Sequence, residues 1–146
     1  MKILYVITGL GMGGAEAITV EIANKMFLRG HHVAIMYLVG DNLQKHRLNQ
    51  RIPVWGLNMS KSPLSLLKSV YCAHKLVLGF SPDVVHGQMV HANLFCRCLR
   101  LFCKIPHLIC TEHNKNIEGK VRMWFYRFTD NLSDLNTNVS KEATSY

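Results

Sequence analysis

The stretch "ITGLGMGGAE" at residues 7–16 places four glycines between an apolar run and the start of a helical pattern. The run before it, "KILYVIT" (2–8), is rich in β-branched and large apolar residues, as in a strand buried on both faces. After it, apolar residues recur at helical spacing until Gly30 ends the pattern. A glycine-rich turn between a strand and a helix binds phosphate in many α/β proteins, because the helix start offers free N–H groups. The stretch therefore predicts a phosphate-binding turn.

The alternation of strand and helix continues along the whole chain. Further strands are predicted within 31–39, 52–57, 81–87, 105–113 and 134–140, with helices at 15–29, 62–79, 91–103 and 121–132. This alternation is typical of a parallel sheet with right-handed crossovers and helices on both faces. The fold class is therefore α/β: a Rossmann-like, doubly wound parallel sheet in a three-layer α/β/α domain that occupies residues 1–146.

Each predicted helix has an apolar face that we expect to pack on the sheet. In the first helix this face is Ile18, Ile22, Ala23, Met26 and Phe27, and in the helix at 62–79 it is Leu64, Leu67, Tyr71 and Leu78. The second of these helices also carries lysines. Its apolar stripe is therefore either a core-packing face with solvated lysines opposite, or a face that rests on an anionic bilayer.

Length and composition indicate one ordinary soluble domain, with 49% apolar and 18% charged residues in 146. No apolar run approaches the roughly 20 residues that span a bilayer. The start of the chain lacks the pattern of a secretory signal, so we expect a cytoplasmic protein. Five cysteines without regular metal-ligand spacing predict reduced thiols and no metal site.

The net charge of +8 lies in the middle of the chain, where residues 44–104 carry nine Lys/Arg against only Asp83. A patch of this kind attracts an anionic membrane surface, nucleic acid or a phosphorylated acceptor. No RNA-binding signature accompanies it, so we expect no nucleic-acid partner.

The glycine turn itself has two interpretations. Residues 9–14 fit G-x-G-x-x-G, which also occurs in NAD(P)-binding domains of oxidoreductases. Those domains need an acidic residue at the end of the second strand, and Asp41 lies later than the usual spacing. Glu16 falls in the first helical turn, where a carboxylate either serves the helix dipole or contacts a ligand.

Polar residues follow three of the predicted strands. Thr8 and the glycines follow the first strand, His86 and Gln88 end the fourth, and Glu112 and His113 end the fifth. Because the carboxyl ends of parallel strands share one edge of the sheet, these residues predict a single ligand site.

Several of these segments together resemble the N-terminal domain of glycosyltransferase family 4, whose enzymes have the two-domain GT-B fold. The opening "MKILYVITGLGMGGAE" is similar to the start of that domain, and "RGHHVAIMYL", "PDVVHGQMVHANL", "CTEHN" and "DNLSDLNTNVSKEAT" follow in the family's order. The resemblance spans nearly the whole chain, and the combination of segments makes it specific.

The resemblance implies that Gly11, Gly13 and Gly14 lie against the diphosphate of a nucleotide-sugar donor. It implies that His113, as the catalytic residue, lies beside the donor sugar and fixes its geometry rather than acting as a nucleophile. The implied substrate-binding residues are Glu16, His86, Gln88, His91, Asn93, Glu112 and Asn114. Gln88 stands where the family often has a second histidine, which disfavours acid–base or metal chemistry at that position.

The implied reaction is sugar transfer with retention of configuration, without a metal or a cofactor other than the nucleotide-sugar co-substrate. The implied acceptor is a glycan or a lipid-linked sugar at the inner face of the membrane, as in bacterial surface polysaccharide or glycolipid synthesis. The family's C-terminal domain, with its paired glutamates, is absent from this sequence, so we expect the chain alone to be inactive. An NAD(P)- or nucleotide-binding domain of an oxidoreductase or regulatory protein remains the alternative.

Overall fold

The computed structural model describes residues 1–11, 13–44, 46–60, 62–112 and 128–138. Its elements are β1 (Lys2–Ile7), α1 (Gly14–Leu28), β2 (His32–Tyr37), β3 (Val54–Gly56), α2 (Pro63–Phe80), β4 (Val84–Gln88), α3 (Val90–Arg100), β5 (His107–Glu112), a 3-10 turn (Asp130–Leu132) and β6 (Leu135–Asn138). Within these described ranges, six strands and three helices follow in the predicted order. The predicted helix at 121–132 lies largely outside the described residues.

The six strands form one parallel sheet in the order β3-β2-β1-β4-β5-β6. The chain winds outward in one direction from β1 to β3, and then in the other direction from β4 to β6. The order therefore reverses between β1 and β4, where Ile7 pairs with Gln88. This arrangement confirms the predicted doubly wound sheet, and sheets of this kind generally bind ligands at such a reversal.

Helices cover both faces of the sheet, which confirms the three layers. On one face Val20 and Ala23 of α1 pack with Ile3 and Ile7 of β1 in an apolar cluster. On the other face α2 and α3 pack on the sheet through a second cluster that includes Ala73, Val77, Phe95 and Leu99. The strands β1 and β2 are buried and have apolar residues on both faces, as their sequences predict.

Of the two interpretations of the apolar stripe on α2, packing against the core is wrong. Leu64, Leu67, Tyr71 and Leu78 are 78%, 69%, 58% and 59% exposed. The residues buried against the sheet are the smaller Ser69, Ala73 and Val77. A helix that is apolar on opposite sides has no single face that periodicity can assign, and small residues on one side let its backbone approach the sheet closely.

In α1 the same prediction is partly wrong. Ile18 is 40% exposed, whereas Thr19, Val20 and Ala23 are buried. The Thr19 hydroxyl donates to the Ala15 carbonyl oxygen at 2.8 Å, which lets a polar residue take a buried position.

Candidate functional site

The glycine turn after β1 leads directly into α1 at the reversal point of the sheet. Gly13 has φ −76° and ψ 171°, an extended conformation that any residue adopts. A Cβ atom at Gly11 or Gly14 would meet no atom of the described part of the chain within 4 Å. At Gly9, in contrast, a Cβ atom would lie 3.2 Å from the Val39 carbonyl oxygen. Packing within the described chain thus accounts for Gly9 but not for Gly11 or Gly14, whose small size leaves the helix start open to a ligand.

A buried glutamine that the sequence analysis missed holds the glycine turn in place. Gln44, 1% exposed, donates from Nε2 to the Gly11 carbonyl oxygen at 2.7 Å. The Leu43 N–H donates to the Leu10 carbonyl oxygen at 2.8 Å. The loop after β2 therefore fixes the turn from one side. The sequence does not mark Gln44, since a buried side chain in an irregular segment has no periodic signal.

Glu16 reaches back over the start of α1. Its carboxylate lies against Gly13, because a Cβ atom built on Gly13 would collide with Glu16 Oε2. The positive end of the helix dipole stabilises a carboxylate in this position. The side chain therefore lies against Gly13, and its predicted contact with substrate stays a prediction.

The second strand-to-helix turn at the reversal point joins β4 to α3 through Met89. Gln88 is buried at the end of β4, paired with Ile7 on one side and Thr111 on the other. Met89 has φ 80°, a left-handed conformation that is costly for any residue but glycine. The Met89 N–H donates to the Thr111 carbonyl oxygen at 3.0 Å, which holds the turn against β5. No sequence signal marks this strained position, because the residue is not a glycine.

His86 is half-buried inside the sheet, two residues before the end of β4. Its Nε2 lies 2.6 Å from Thr111 Oγ1, which in turn lies 2.7 Å from Thr137 Oγ1. Its ring stands 5.5 Å from the ring of Tyr5, measured between centroids. Burial raises the pKa of Tyr5 to about 12, so this phenol stays neutral at physiological pH. His86 thus belongs to a polar row that crosses the sheet beneath the candidate site.

The two predicted substrate-binding residues on α3 have different surroundings. His91 is exposed at the start of the helix. Asn93 is fully buried, and its Nδ2 donates to the Thr111 carbonyl oxygen at 3.0 Å. Its side chain also packs directly on Gly87, where a Cβ atom would collide with it. Asn93 therefore holds α3 against β4 and β5, and its predicted contact with substrate stays a prediction.

At the end of β5, Glu112 is only 6% exposed and lies one strand beyond Gln88. His113 and Asn114 follow it directly and lie outside the described residues, so their roles stay predictions.

Thr8 Oγ1, at the end of β1, is buried and has no hydrogen-bond partner within the described part of the chain. No group of three histidine, cysteine or acidic side chains in that part is arranged to hold a metal ion.

The ends of β1, β4 and β5 are neighbours in the sheet, so the glycine turn, Gln88 and Glu112 share one edge. Backbone N–H groups at the start of α1 suit an anion, while the buried polar side chains next to them suit sugar hydroxyls. This edge of the sheet therefore combines an anion-favouring helix start with polar side chains.

The sequence model of Glycosyltransferase Family 4 matches residues 12–146. The chain belongs to glycosyltransferase family 4. This membership confirms the resemblance that the glycine turn and the later strand ends indicated, and it favours the transferase over the oxidoreductase alternative.

A curated relative from Campylobacter jejuni is 27% identical in an alignment 151 residues long, which covers 94% of this chain and 41% of the relative. It is the GalNAc-alpha-(1->4)-GalNAc-alpha-(1->3)-diNAcBac-PP-undecaprenol alpha-1,4-N-acetyl-D-galactosaminyltransferase. Among solved structures, MurG of Acinetobacter baumannii superposes with a TM-score of 0.73 at 14% identity, over 97% of this chain and 43% of MurG. HepE of Anabaena, solved in complex with UDP, superposes with a TM-score of 0.65 at 19% identity, over 99% of this chain and 39% of HepE.

These two structures show the fold, which corresponds to one half of a GT-B glycosyltransferase. The chain spans less than half the length of each of these three proteins. In the part of the chain that the structure describes, no helix has the length and apolar character needed to cross a membrane.

Proposed function

We propose that this chain is the acceptor-side domain of a retaining glycosyltransferase that transfers a sugar from a nucleotide-sugar donor to a glycan or lipid-linked acceptor. The observation that carries the proposal is the open glycine turn at the start of α1, at the reversal point of a family 4 domain. In the whole enzyme a second domain, which this sequence does not include, would close over this edge and supply the remaining donor contacts.

The glycine turn would meet the donor's diphosphate. Negative charge accumulates on the leaving nucleoside diphosphate as the sugar bond breaks, and preorganised N–H groups stabilise that charge without reorganisation. Gly13 and Gly14 place the first N–H groups of α1 at the protein surface, since both residues are exposed. The Gln44 contact to Gly11 keeps this backbone in position before the ligand arrives.

The residues at the ends of β4 and β5 would hold the sugars. His113 would orient the donor sugar, with Glu112 and Asn114 beside it. Gln88, His91 and Glu16 would face the acceptor side, while His86 and Asn93 would support them from within the sheet and from α3. No step in this scheme requires a metal ion.

The acceptor class is supported by the Campylobacter relative, whose name specifies an undecaprenol-linked glycan. We infer a comparable lipid-linked acceptor, used in surface polysaccharide or glycolipid synthesis at the inner face of the membrane. The NAD(P)-binding alternative has little support from the fold, because Asp41 is exposed and follows β2 only after the turn at Gly40.

The test is a transfer assay on the full-length protein with a panel of UDP- and dTDP-sugars and an undecaprenyl-diphosphate-linked glycan as acceptor. We expect release of nucleoside diphosphate and an extended glycan whose new linkage keeps the donor's anomeric configuration by NMR. A His113→Ala variant should bind the nucleotide but lose transfer. Binding of NAD without binding of any nucleotide-sugar would overturn the proposal.

A further inference from the structure

A cavity beside the edge strand β3 is separate from the glycine turn and from the ends of β4 and β5. Its volume of about 520 Å³ falls within the range of about 300–1,000 Å³ that is usual for small-molecule sites. This β3 cavity is lined by Tyr37, by the amide side chains of Asn42, Asn49 and Gln50, and by four apolar residues of the segment 48–54. Because β1 lies between β2 and β4 in the sheet, a ligand here would be additional to one at the ends of β4 and β5.

One wall of the β3 cavity is an aromatic ring that lies against a glycine. Tyr37 of β2 pairs with Gly56 of β3, and a Cβ atom at Gly56 would collide with the Tyr37 ring. The ring therefore occupies the space that a side chain at position 56 would fill. This close approach accounts for a glycine inside a strand. It also leaves a half-buried aromatic face at the cavity.

Another wall is the loop between β2 and β3, which contacts to α1 hold in one shape. Asn24 of α1 donates from Nδ2 to the Arg47 carbonyl oxygen at 2.9 Å, and its Oδ1 accepts from the Asn49 N–H at 2.8 Å. Leu48 and Ile52 anchor the same loop in the apolar cluster between α1 and the sheet. The cavity is therefore preformed, which lowers the entropic cost of binding a ligand.

The polar groups of the cavity include two amides whose orientation is fixed. Asn42 Oδ1 accepts from the Gln44 N–H at 3.1 Å, and Asn49 Oδ1 accepts from the Arg51 N–H at 2.9 Å. Each contact leaves the Nδ2 group of its asparagine to donate to a ligand. None of the described residues that line the cavity carries a charge, which disfavours a phosphate or a carboxylate as its ligand.

We propose that the β3 cavity binds a neutral sugar ring. A pyranose carries hydroxyl groups around its rim and C–H groups on its faces, so it needs hydrogen-bond donors beside an apolar or aromatic surface. Asn42 and Asn49 supply the donors, and the Tyr37 ring supplies the surface. This inference concerns binding alone and does not rest on the proposed transfer activity.

The test is a titration of the full-length protein with the methyl glycosides of glucose, galactose, N-acetylglucosamine and N-acetylgalactosamine, followed by saturation-transfer NMR. UDP is present in excess to fill a nucleotide site, and we expect at least one glycoside to bind under these conditions. Asn49→Asp keeps an acceptor for the Arg51 N–H but loses the Nδ2 donor, so sugar affinity should fall by about 5–10-fold. Asn58→Asp, the same change in the exposed loop after β3, is the matched control and should leave the affinity unchanged.

The aromatic wall is tested by Tyr37→Ala, which should abolish sugar binding, whereas Tyr37→Phe keeps the ring and should retain most of it. Tyr71→Ala removes an exposed tyrosine from α2, on the other face of the sheet, and should bind sugar as the wild type does. Failure of the wild type to bind any of the four glycosides would overturn the proposal. So would equal affinities in the wild type, Asn49→Asp and Tyr37→Ala, or binding of uridine that Tyr37→Ala abolishes while no glycoside binds.

Discussion

Two strand-to-helix turns lie side by side at the reversal point of the sheet, and they differ in glycine content and in backbone conformation. The turn from β1 to α1 uses four glycines, and Gly13 in it has ordinary backbone angles. The turn from β4 to α3 uses no glycine, although Met89 in it has φ 80°. Glycine is therefore present where the backbone does not need it and absent where the backbone would favour it.

The supports of the two turns are alike, however. A buried amide side chain donates to a backbone carbonyl oxygen at each: Gln44 to Gly11 at 2.7 Å, and Asn93 to Thr111 at 3.0 Å. The difference thus lies in what the turns present to solvent. The glycine turn presents bare backbone, which suits close approach of a diphosphate, and the Met89 turn presents side chains and stores about 1–3 kcal/mol of strain.

The largest effect should come from Gly14→Ala. The added methyl group meets no atom of the described chain within 4 Å, and alanine is the better helix former, so the melting temperature should stay equal or rise. If the helix start contacts the diphosphate, transfer by the full-length enzyme should fall by about 100-fold, the usual loss when one such contact fails.

Gly79→Ala is the matched control, since Gly79 lies in α2 and its Cβ would likewise meet nothing in the described part of the chain within 4 Å. It should raise stability by about 0.5–1 kcal/mol and leave nucleotide binding unchanged. Full activity of Gly14→Ala would contradict the claim that the glycine turn differs from the Met89 turn because it accommodates a diphosphate.

The second largest effect is a loss of stability at the turn that contains Met89. Asn93→Ala removes a buried hydrogen bond to Thr111 and leaves a small cavity against Gly87, so the free energy of unfolding should fall by about 2–3 kcal/mol in urea titrations. His91→Ala, at the exposed start of the same helix, should change stability by less than about 0.5 kcal/mol. Equal stability of the two variants would show that Asn93 does not support the turn.

Sequence reasoning predicted these features unevenly, for physical reasons. The order of strands and helices follows from apolar periodicity, and the glycine turn carries a local signal in "GLGMGG". The strain at Met89 and the inward position of Gln44 depend on contacts between distant segments, which no local pattern records. Core packing of the apolar stripe on α2 was the wrong alternative, because the large apolar residues of this helix point outward and its small ones inward.

A third, smaller loss of stability is expected when the hydrogen bond from Gln44 to the glycine turn is removed. Gln44→Ala leaves the Gly11 carbonyl oxygen without this donor and should cost about 1–2 kcal/mol of unfolding free energy. Nucleotide affinity, measured by calorimetry, should also fall, because the turn loses its preorganised position. Gln50→Ala, exposed in the same loop, should alter neither quantity. Unchanged affinity in Gln44→Ala would mean that the turn keeps its shape without the glutamine.

The smallest change in stability is expected at the amino ends of the strands, on the side of the sheet away from both turns. A substitution there serves as a control for substitutions in the turns. There the Asp134 carboxylate accepts from the Leu108 N–H at 2.8 Å and pairs with Arg100 at 3.0 Å, and these two contacts, in that order, hold its pKa below the usual 3.8. Since the folded form binds the proton less readily than the unfolded chain, the stabilisation is complete above about pH 4 and is lost as the pH falls through the lowered pKa. Asp134→Asn should therefore cost less than about 1 kcal/mol at pH 7, because the pair is partly exposed, and the difference from wild type should shrink below pH 4 in thermal melts. Nucleotide affinity should not change, since this contact lies at the amino end of β5; a loss of affinity here would mean that the two edges of the sheet are coupled.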